Sequence, residues 1–317
     1  MTVYIAPGKL ILTGEYAVLY GYPAVVFSID RYIEVSIENH QGFQIEVYGK
    51  RLCGRFSEIA KEIFYLSPQI YETLNFYNRR GLNVENLNIK ISSSIPFKGL
   101  GSSAAVITCL SYALLDYNNL NFSKEDLLSD VYKIKRKIEG GSPTDIIASI
   151  FGGINMVKYF GENIVYRKIS EDIFKKNNVD LYAIFTGEEI KTSSILSNIM
   201  QEIDKIRYKK AIVRSIGELA EAVWNNLKNE KINDIFKLIR LNHYLLASLG
   251  VSTKTIDTIV NHFEEKDKDS VVVKISGAGF GDSLIALSRD SKNICNELDN
   301  FKCIKIGIDV KGVRIKR

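Results

Sequence analysis

The ten residues Pro96-Phe97-Lys98-Gly99-Leu100-Gly101-Ser102-Ser103-Ala104-Ala105 constrain this chain more than any other segment. Before them, Leu87-Asn88-Ile89-Lys90-Ile91 alternates apolar and polar side chains, as a half-buried strand does. After them, residues 104–110 hold no Pro or Gly and are rich in apolar side chains, as the start of a buried helix is. A strand, a glycine turn and a helix start in that order let backbone approach a ligand closely. They also leave the first helical amides without internal partners. Those amides and the helix dipole favour phosphate, and two hydroxyls stand at the same end to bond oxygen or a metal. Taken alone, the segment fits a phosphate site and a tight turn capped by serines equally well.

At 317 residues the chain has room for two domains of ordinary size, about 100–200 residues each. A polar stretch over 166–179 divides it into 1–168 and 169–317. In the first part Ile33, Val35 and Ile37 alternate with Glu34, Ser36 and Glu38, a sheet with one wet face. Ser123-Lys124-Glu125-Asp126 reads as a capping box. It opens a helix with Leu127, Val131, Ile134 and Ile138 on one face, stopped by Gly140-Gly141. The second part predicts a strand over 181–185, helices over 211–228 and 232–249, and a third helix after Ser252-Thr253. Strands over 271–275, 283–287 and 304–308 complete it. Elements intermixed without βαβ spacing predict an α+β fold.

A net charge of +5 is too small and too dispersed for a nucleic-acid partner. No apolar run approaches the ~20 residues of a membrane span, and the N-terminus lacks the features of a signal peptide, so a cytoplasmic protein is expected. Four cysteines without a CxxC pair, and three histidines in no ligand pattern with them, predict four free thiols.

Two further segments carry chemistry. One joins Ala6-Pro7-Gly8-Lys9-Leu10 to Thr13-Gly14-Glu15-Tyr16-Ala17-Val18. The other is Lys274-Ile275-Ser276-Gly277-Ala278-Gly279-Phe280-Gly281-Asp282-Ser283, whose three close glycines fit a bulged hairpin or a loop that touches a ligand with its backbone. In this order and at these separations the three motifs resemble those of the GHMP small-molecule kinases (galactokinase, homoserine kinase, mevalonate kinase and phosphomevalonate kinase). The resemblance implies an N-terminal domain like ribosomal protein S5 domain 2 and a ferredoxin-like C-terminal domain, with ATP and its acceptor meeting between them. The Walker A pattern and the protein-kinase signatures are absent.

Within that superfamily, Gly14-Glu15-Tyr16 and the Ser276-to-Asp282 run resemble phosphomevalonate kinases, where mevalonate kinases read Gly-Glu-His and Thr-Gly-Ala-Gly-Gly-Gly. Thr186-Gly187 through Lys191-Thr192-Ser193 resembles the same enzymes, whereas Asn242 through Ser252 looks more like mevalonate kinase. The segment typical of the related decarboxylases is not found. The resemblance thus implies ATP-dependent phosphorylation of mevalonate 5-phosphate to the 5-diphosphate. The alternatives are phosphorylation of the mevalonate 5-hydroxyl and, more remotely, a non-catalytic regulator that binds ATP and a metabolite.

The resemblance also assigns roles. Gly140-Gly141-Ser142-Pro143-Thr144-Asp145 matches the segment of the catalytic aspartate, which makes Asp145 that residue, although the residues alone fit a helix cap. Lys9 is the cleft cation, unless it is a plain surface lysine, and Lys98 is the second choice. The backbone of Gly99, Leu100, Gly101, Ser102, Ser103 and Ala104 surrounds the ATP phosphates. Ser103 supplies the Mg²⁺ ligand, with Ser102 in reserve, and Glu139 is a weaker candidate ligand that reads first as an ordinary helix-end residue. Tyr16, Ser142, Thr192, Ser276, Gly277 and Ala278 contact the acceptor. A phosphate acceptor, with a second pKa of about 6, is already anionic, so positioning and positive charge would outweigh a general base. The expected assembly is a monomer or homodimer without nucleic-acid or membrane partners.

Overall fold

The computed structural model describes residues 2–188, 192–281, 283–289 and 293–316, with the backbone alone for 192–196. The chain opens with β1 (Thr2–Thr13), a 3₁₀ turn at Ala17–Tyr20, and β2 (Ala24–Asn39), followed by the hairpin β3 (Phe43–Val47) and β4 (Lys50–Gly54). Helices α1 (Phe56–Leu66) and α2 (Pro68–Arg79) precede β5 (Leu87–Ser93). Then come α3 (Ser102–Tyr117), α4 (Lys124–Ile138), α5 (Thr144–Phe151), β6 (Ile154–Phe160) and β7 (Asn163–Ile169). The short α6 (Ile173–Lys176) leads to β8 (Val179–Phe185), α7 (Thr192–Lys205), α8 (Arg207–Lys228), α9 (Ile232–Ser248) and α10 (Lys254–Lys266). Strands β9 (Val271–Ile275), β10 (Ser283–Arg289), β11 (Lys302–Ile306) and β12 (Arg314–Ile315) close the chain.

Two sheets organise these elements. The first runs β12-β1-β2-β5-β3-β4, with β6 and then β7 added at the far end of the long β2; the second is antiparallel, in the order β11-β8-β10-β9. Strand alternation decides which core each side chain joins. Tyr4, Ala6 and Ile11 of β1 pack with Val35, Ile89, Ala105 and Leu110 under the helical layer of α1 to α5. Leu10 and Leu12 of the same strand face the other way, against Phe27, Trp224, Phe236 and Ile285, which joins the two sheets. The far face of the second sheet packs Tyr182, Ile275 and Leu284 against Ile216, Leu246 and Phe263. The fold is the α+β, two-part arrangement expected, and among the described residues no helix is long and apolar enough to cross a membrane.

The structure corrects the cysteine reading. Cys295 and Cys303 form a disulfide, while Cys53 and Cys109 are free. A 3₁₀ turn at Ile294–Glu297 doubles the chain back into β11, which brings the two Cα atoms to 5.2 Å; a spacing of eight residues carries no signature of that turn.

β12 lies beyond residue 168 in sequence but belongs to the first sheet, where Tyr4 pairs with Ile315. Asp309 fixes the approach. Its Oδ1 accepts from the amides of Lys311 (3.0 Å) and Gly312 (2.7 Å), and its Oδ2 from Tyr32 Oη (2.9 Å) and Arg314 (2.8 Å). Replacing Asp309 by Ala strands the Lys311 and Gly312 amides and the Tyr32 hydroxyl and leaves Arg314 its bond to the Gly312 carbonyl, and chemical denaturation should show a loss of about 3 kcal/mol. A change near zero would mean that β12 is held by other contacts.

His243 of α9 is buried, and burial followed by the nearby Lys274 ammonium pushes its pKa down to about 4. The folded state therefore binds fewer protons than the unfolded chain between pH 4 and 6.5, so this group destabilises the fold as pH falls through that window. Between pH 7 and 4 the wild type should lose about 3 kcal/mol more than His243→Asn, measured by denaturation at the two pH values.

Candidate active site

A cleft of about 390 Å³ opens where the three glycine motifs and the α4–α5 junction converge. Its first wall is the turn between β5 and α3. Gly99 and Gly101 adopt left-handed backbone, with φ of 84° and 78°. A Cβ on Gly101 would stand 2.7 Å from Lys9 Cγ, and one on Gly8 would stand 2.4 Å from the Leu100 carbonyl oxygen. Only glycines let the turn lie this close to β1. The approach is used: Lys9 N–H donates to the Leu100 carbonyl at 2.7 Å, and Lys9 Nζ to the Gly99 carbonyl at 3.2 Å.

The N-cap of α3 is Gly101, without a side-chain cap, and the first turn closes with Ala105 N–H on the Gly101 carbonyl. The amides of Ser102, Ser103 and Ala104 thus precede the first helical bond, and neither serine caps the helix. Leu100 and Ala104, expected around the ATP phosphates, are fully buried core residues and do not line the cleft. Ser102, Ser103 and Lys98 line it directly.

The second wall is the α4–α5 junction. Lys135 Nζ lies 2.5 Å from both carboxylate oxygens of Asp145 and 2.9 Å from the Ser142 carbonyl. Asp145 sits in the first turn of α5, whose N-cap is Pro143, so it does not cap the helix. Its Oδ1 also accepts from the amide of Ile146 at 2.9 Å. Ser142 lines the same wall and its hydroxyl pairs with that of Thr144 at 2.8 Å.

Glu139, read from sequence as a helix-end residue, lines the cleft as well. Its carboxylate accepts from Ser103 Oγ at 3.1 Å, while Gln69 Nε2 donates to the same Oγ at 3.1 Å. The residue is exposed, yet its carboxyl group turns inward and desolvation pushes its pKa up, against the pull of Lys135. Lys135 was not singled out by sequence reasoning. Its signal was a lysine four residues beyond Val131 and three before Ile138, on the apolar side of the helix.

The third wall brings Tyr16 to the glycine loop after β9. Tyr16 Oη donates to the Ala278 carbonyl at 2.5 Å, and burial, followed by the Glu15 carboxylate, raises the phenol pKa so that it stays a neutral donor. Ser276 is buried, and its Oγ accepts from Ile11 N–H (2.9 Å) and donates to the Ile11 carbonyl (3.1 Å). That hydroxyl is thereby committed to β1, which leaves loop backbone at Gly277 and Ala278 to line the cleft beside it. Ser283 Oγ donates to the Lys98 carbonyl at 2.8 Å, tying this loop to the first wall. Asp282 and Lys191 lie outside the described residues, and Thr192 begins α7 with its side chain outside them. No group of three or more His, Cys, Asp or Glu side chains arranged for a metal occurs among the described residues.

Residues 69–153 match the family model for the GHMP kinases N terminal domain, and residues 223–304 match that for the GHMP kinases C terminal domain; together they span more than half of the chain. The mevalonate kinase of Pyrococcus furiosus is 29% identical over 307 residues, which covers 89% of this chain and 88% of that protein. Among solved structures, the Methanococcus jannaschii mevalonate kinase superposes with a TM-score of 0.78 at 26% identity, over 96% of this chain and 98% of that one. The Streptococcus pneumoniae phosphomevalonate kinase in complex with phosphomevalonate and AMPPNP reaches 0.77 at 20% identity, over 96% and 100%, a likeness of fold. Both halves of the family's structure and all three glycine motifs are thus present in one polypeptide, and the chain belongs to the GHMP kinases.

Proposed function

We propose that this kinase transfers the γ-phosphoryl group of ATP to the 5-hydroxyl of mevalonate. The observation that carries the reading is Asp145, whose carboxylate is gripped through both oxygens by Lys135 across the cleft from the phosphate-binding turn. An alcohol must lose its proton as it attacks phosphorus, and a fixed carboxylate is the group for that task. In the balanced step the acceptor oxygen bonds to phosphorus, its proton passes to Asp145, and the bond from phosphorus to the ADP oxygen breaks.

GHMP kinases use ATP, generally with Mg²⁺, and the residues present fit both. The amides at the start of α3 have no helical partners and receive phosphate oxygens, and Lys9 stands beside them with its positive charge. Ser103 Oγ and the Glu139 carboxylate, already in contact, are hard oxygen donors of the kind magnesium prefers. The ion supplies neutralisation of the phosphate charge. The chain's own part is to align the two reactants, keep Asp145 pointed at the acceptor through Lys135, and close the far end with Tyr16 and Ala278.

Mevalonate 5-phosphate is the second reading, favoured by Gly14-Glu15-Tyr16 and by the Ser276-to-Gly281 loop. Two observations weigh toward mevalonate. The whole-chain relatives reported above at 25% identity or more are mevalonate kinases. And among the described residues Tyr16, Ser276, Gly277 and Ala278 bring no cation to the acceptor end, while Lys9 and Lys98 lie by the phosphate turn and Lys135, beside Ser142, is paired with Asp145. A doubly charged acceptor would need positive charge on that wall.

The test is ³¹P NMR of the products made from ATP and Mg²⁺ with either acceptor. A new phosphomonoester signal from mevalonate, with mevalonate 5-phosphate left unchanged, is expected. A diphosphate signal from mevalonate 5-phosphate alone would establish the second reading instead. In the active direction Asp145→Asn should lower kcat by about 10²–10⁴-fold while ATP still binds, which titration calorimetry checks.

A further inference from the structure

Glu15 and Lys274 form an ion pair whose side chains are 1% and 0% exposed. Glu15 follows β1 of the first sheet and Lys274 belongs to β9 of the second, so the pair bridges the two halves of the molecule at the floor of the cleft, which Glu15 itself lines. Burial draws the Lys274 pKa down, and the Glu15 carboxylate opposes that shift. Two charges removed from water are seldom a net gain in stability, since apolar residues of the same volume commonly do as well. The pair is therefore better explained by what it positions.

Each partner sits next to the acceptor wall. One residue after Glu15, Tyr16 donates to the Ala278 carbonyl; two residues after Lys274, Ser276 grips both backbone groups of Ile11. Asn242 donates to the second Glu15 oxygen at 3.4 Å and accepts from Thr13 Oγ1, which leaves the carboxylate held on both sides. Tyr16 keeps a left-handed backbone at φ 62°, a costly conformation for a bulky residue, and the bonds made by Glu15 and Tyr16 together hold it there. The glycine loop is anchored further along, where the Phe280 amide donates to the Val251 carbonyl at 2.8 Å, while a Cβ on Gly277 at its tip would meet nothing within 4 Å.

We propose that Glu15 and Lys274 are positioning residues: their buried pair sets the register between the two sheets and so fixes the backbone of Gly277 and Ala278 at the acceptor end of the cleft. The inference rests on the reading of that cleft as an acceptor site. Neither side chain acts on the reacting atoms; both act through Tyr16 and the loop.

The test is the neutral double variant Glu15→Gln/Lys274→Met, compared with Glu15→Gln alone. The single variant strands a buried ammonium and should unfold at a lower temperature, and the double variant should recover most of that loss. The double variant should nevertheless show a KM for mevalonate raised about tenfold or more, a KM for ATP within about twofold of wild type, and faster hydrogen exchange at the amides of 277–281. Tyr16→Phe, which removes only the hydroxyl bond to Ala278, should move acceptor KM and loop exchange in the same direction and keeps the question open to test if the double variant does not fold. Wild-type acceptor KM and wild-type loop exchange in these variants would overturn the proposal. If the wild-type enzyme phosphorylates neither acceptor, the proposed function falls, and loop exchange alone then decides the positioning role.

Discussion

The backbone of β1 between Gly8 and Ile11 holds both loops that frame the cleft. Lys9 gives its amide to Leu100 of the turn between β5 and α3, and two residues on Ile11 gives its amide and carbonyl to Ser276 of the glycine loop. The strand's register with β2 shifts twice over this stretch, between Pro7 and Lys9 and between Ile11 and Thr13. Bulges of that kind re-aim backbone groups away from the ladder, at the cost of regular pairing. Here they turn one strand into a spine with a glycine loop on each side. Ser283, bonded to the Lys98 carbonyl, then ties the two loops to one another.

Around that spine the charged groups divide by their surroundings. The Lys135–Asp145 pair faces the cleft, where the ammonium holds the carboxylate in a fixed orientation. The Glu15–Lys274 pair lies at its floor, almost sealed from solvent, where charge serves geometry. Glu139 stands between these cases: exposed as a residue, yet with its carboxyl turned onto Ser103. The same residue types thus take different tasks according to what each helix end or strand end leaves open beside them.

Much of this was legible in the sequence because it depends on local chemistry. The Ser123–Asp126 capping box opens α4 with both reciprocal bonds made, and β9 occupies the 271–275 span that its apolar run predicts. Asp145, Lys9 and Ser103 all line one cleft, as the motifs' order implied. What remained hidden depends on partners far away in the chain. Nothing near Cys295 announces its bond to Cys303, nothing in 314–315 announces pairing with β1, and a lysine within an apolar strand gives no sign of the glutamate 259 residues before it. Glu139 looked like a helix end because it is one; its contact with Ser103 appears only when α3 and α4 pack side by side. The three-residue Gly-Glu-Tyr signature resembles phosphomevalonate kinases, whereas the relatives similar along the whole chain are mevalonate kinases. A short motif reports one contact, and in the structure the Tyr16 hydroxyl spends that contact on Ala278.

The most direct measurement of the account is a crystal structure of the enzyme with mevalonate, Mg²⁺ and a non-hydrolysable ATP analogue. The account predicts triphosphate oxygens on the amides of Ser102 to Ala104 and the 5-oxygen of mevalonate within about 2.6–3.2 Å of the Asp145 carboxylate. A 5-oxygen turned away from Asp145, with the carboxylate still closed on Lys135 and no path for the proton between them, would contradict it.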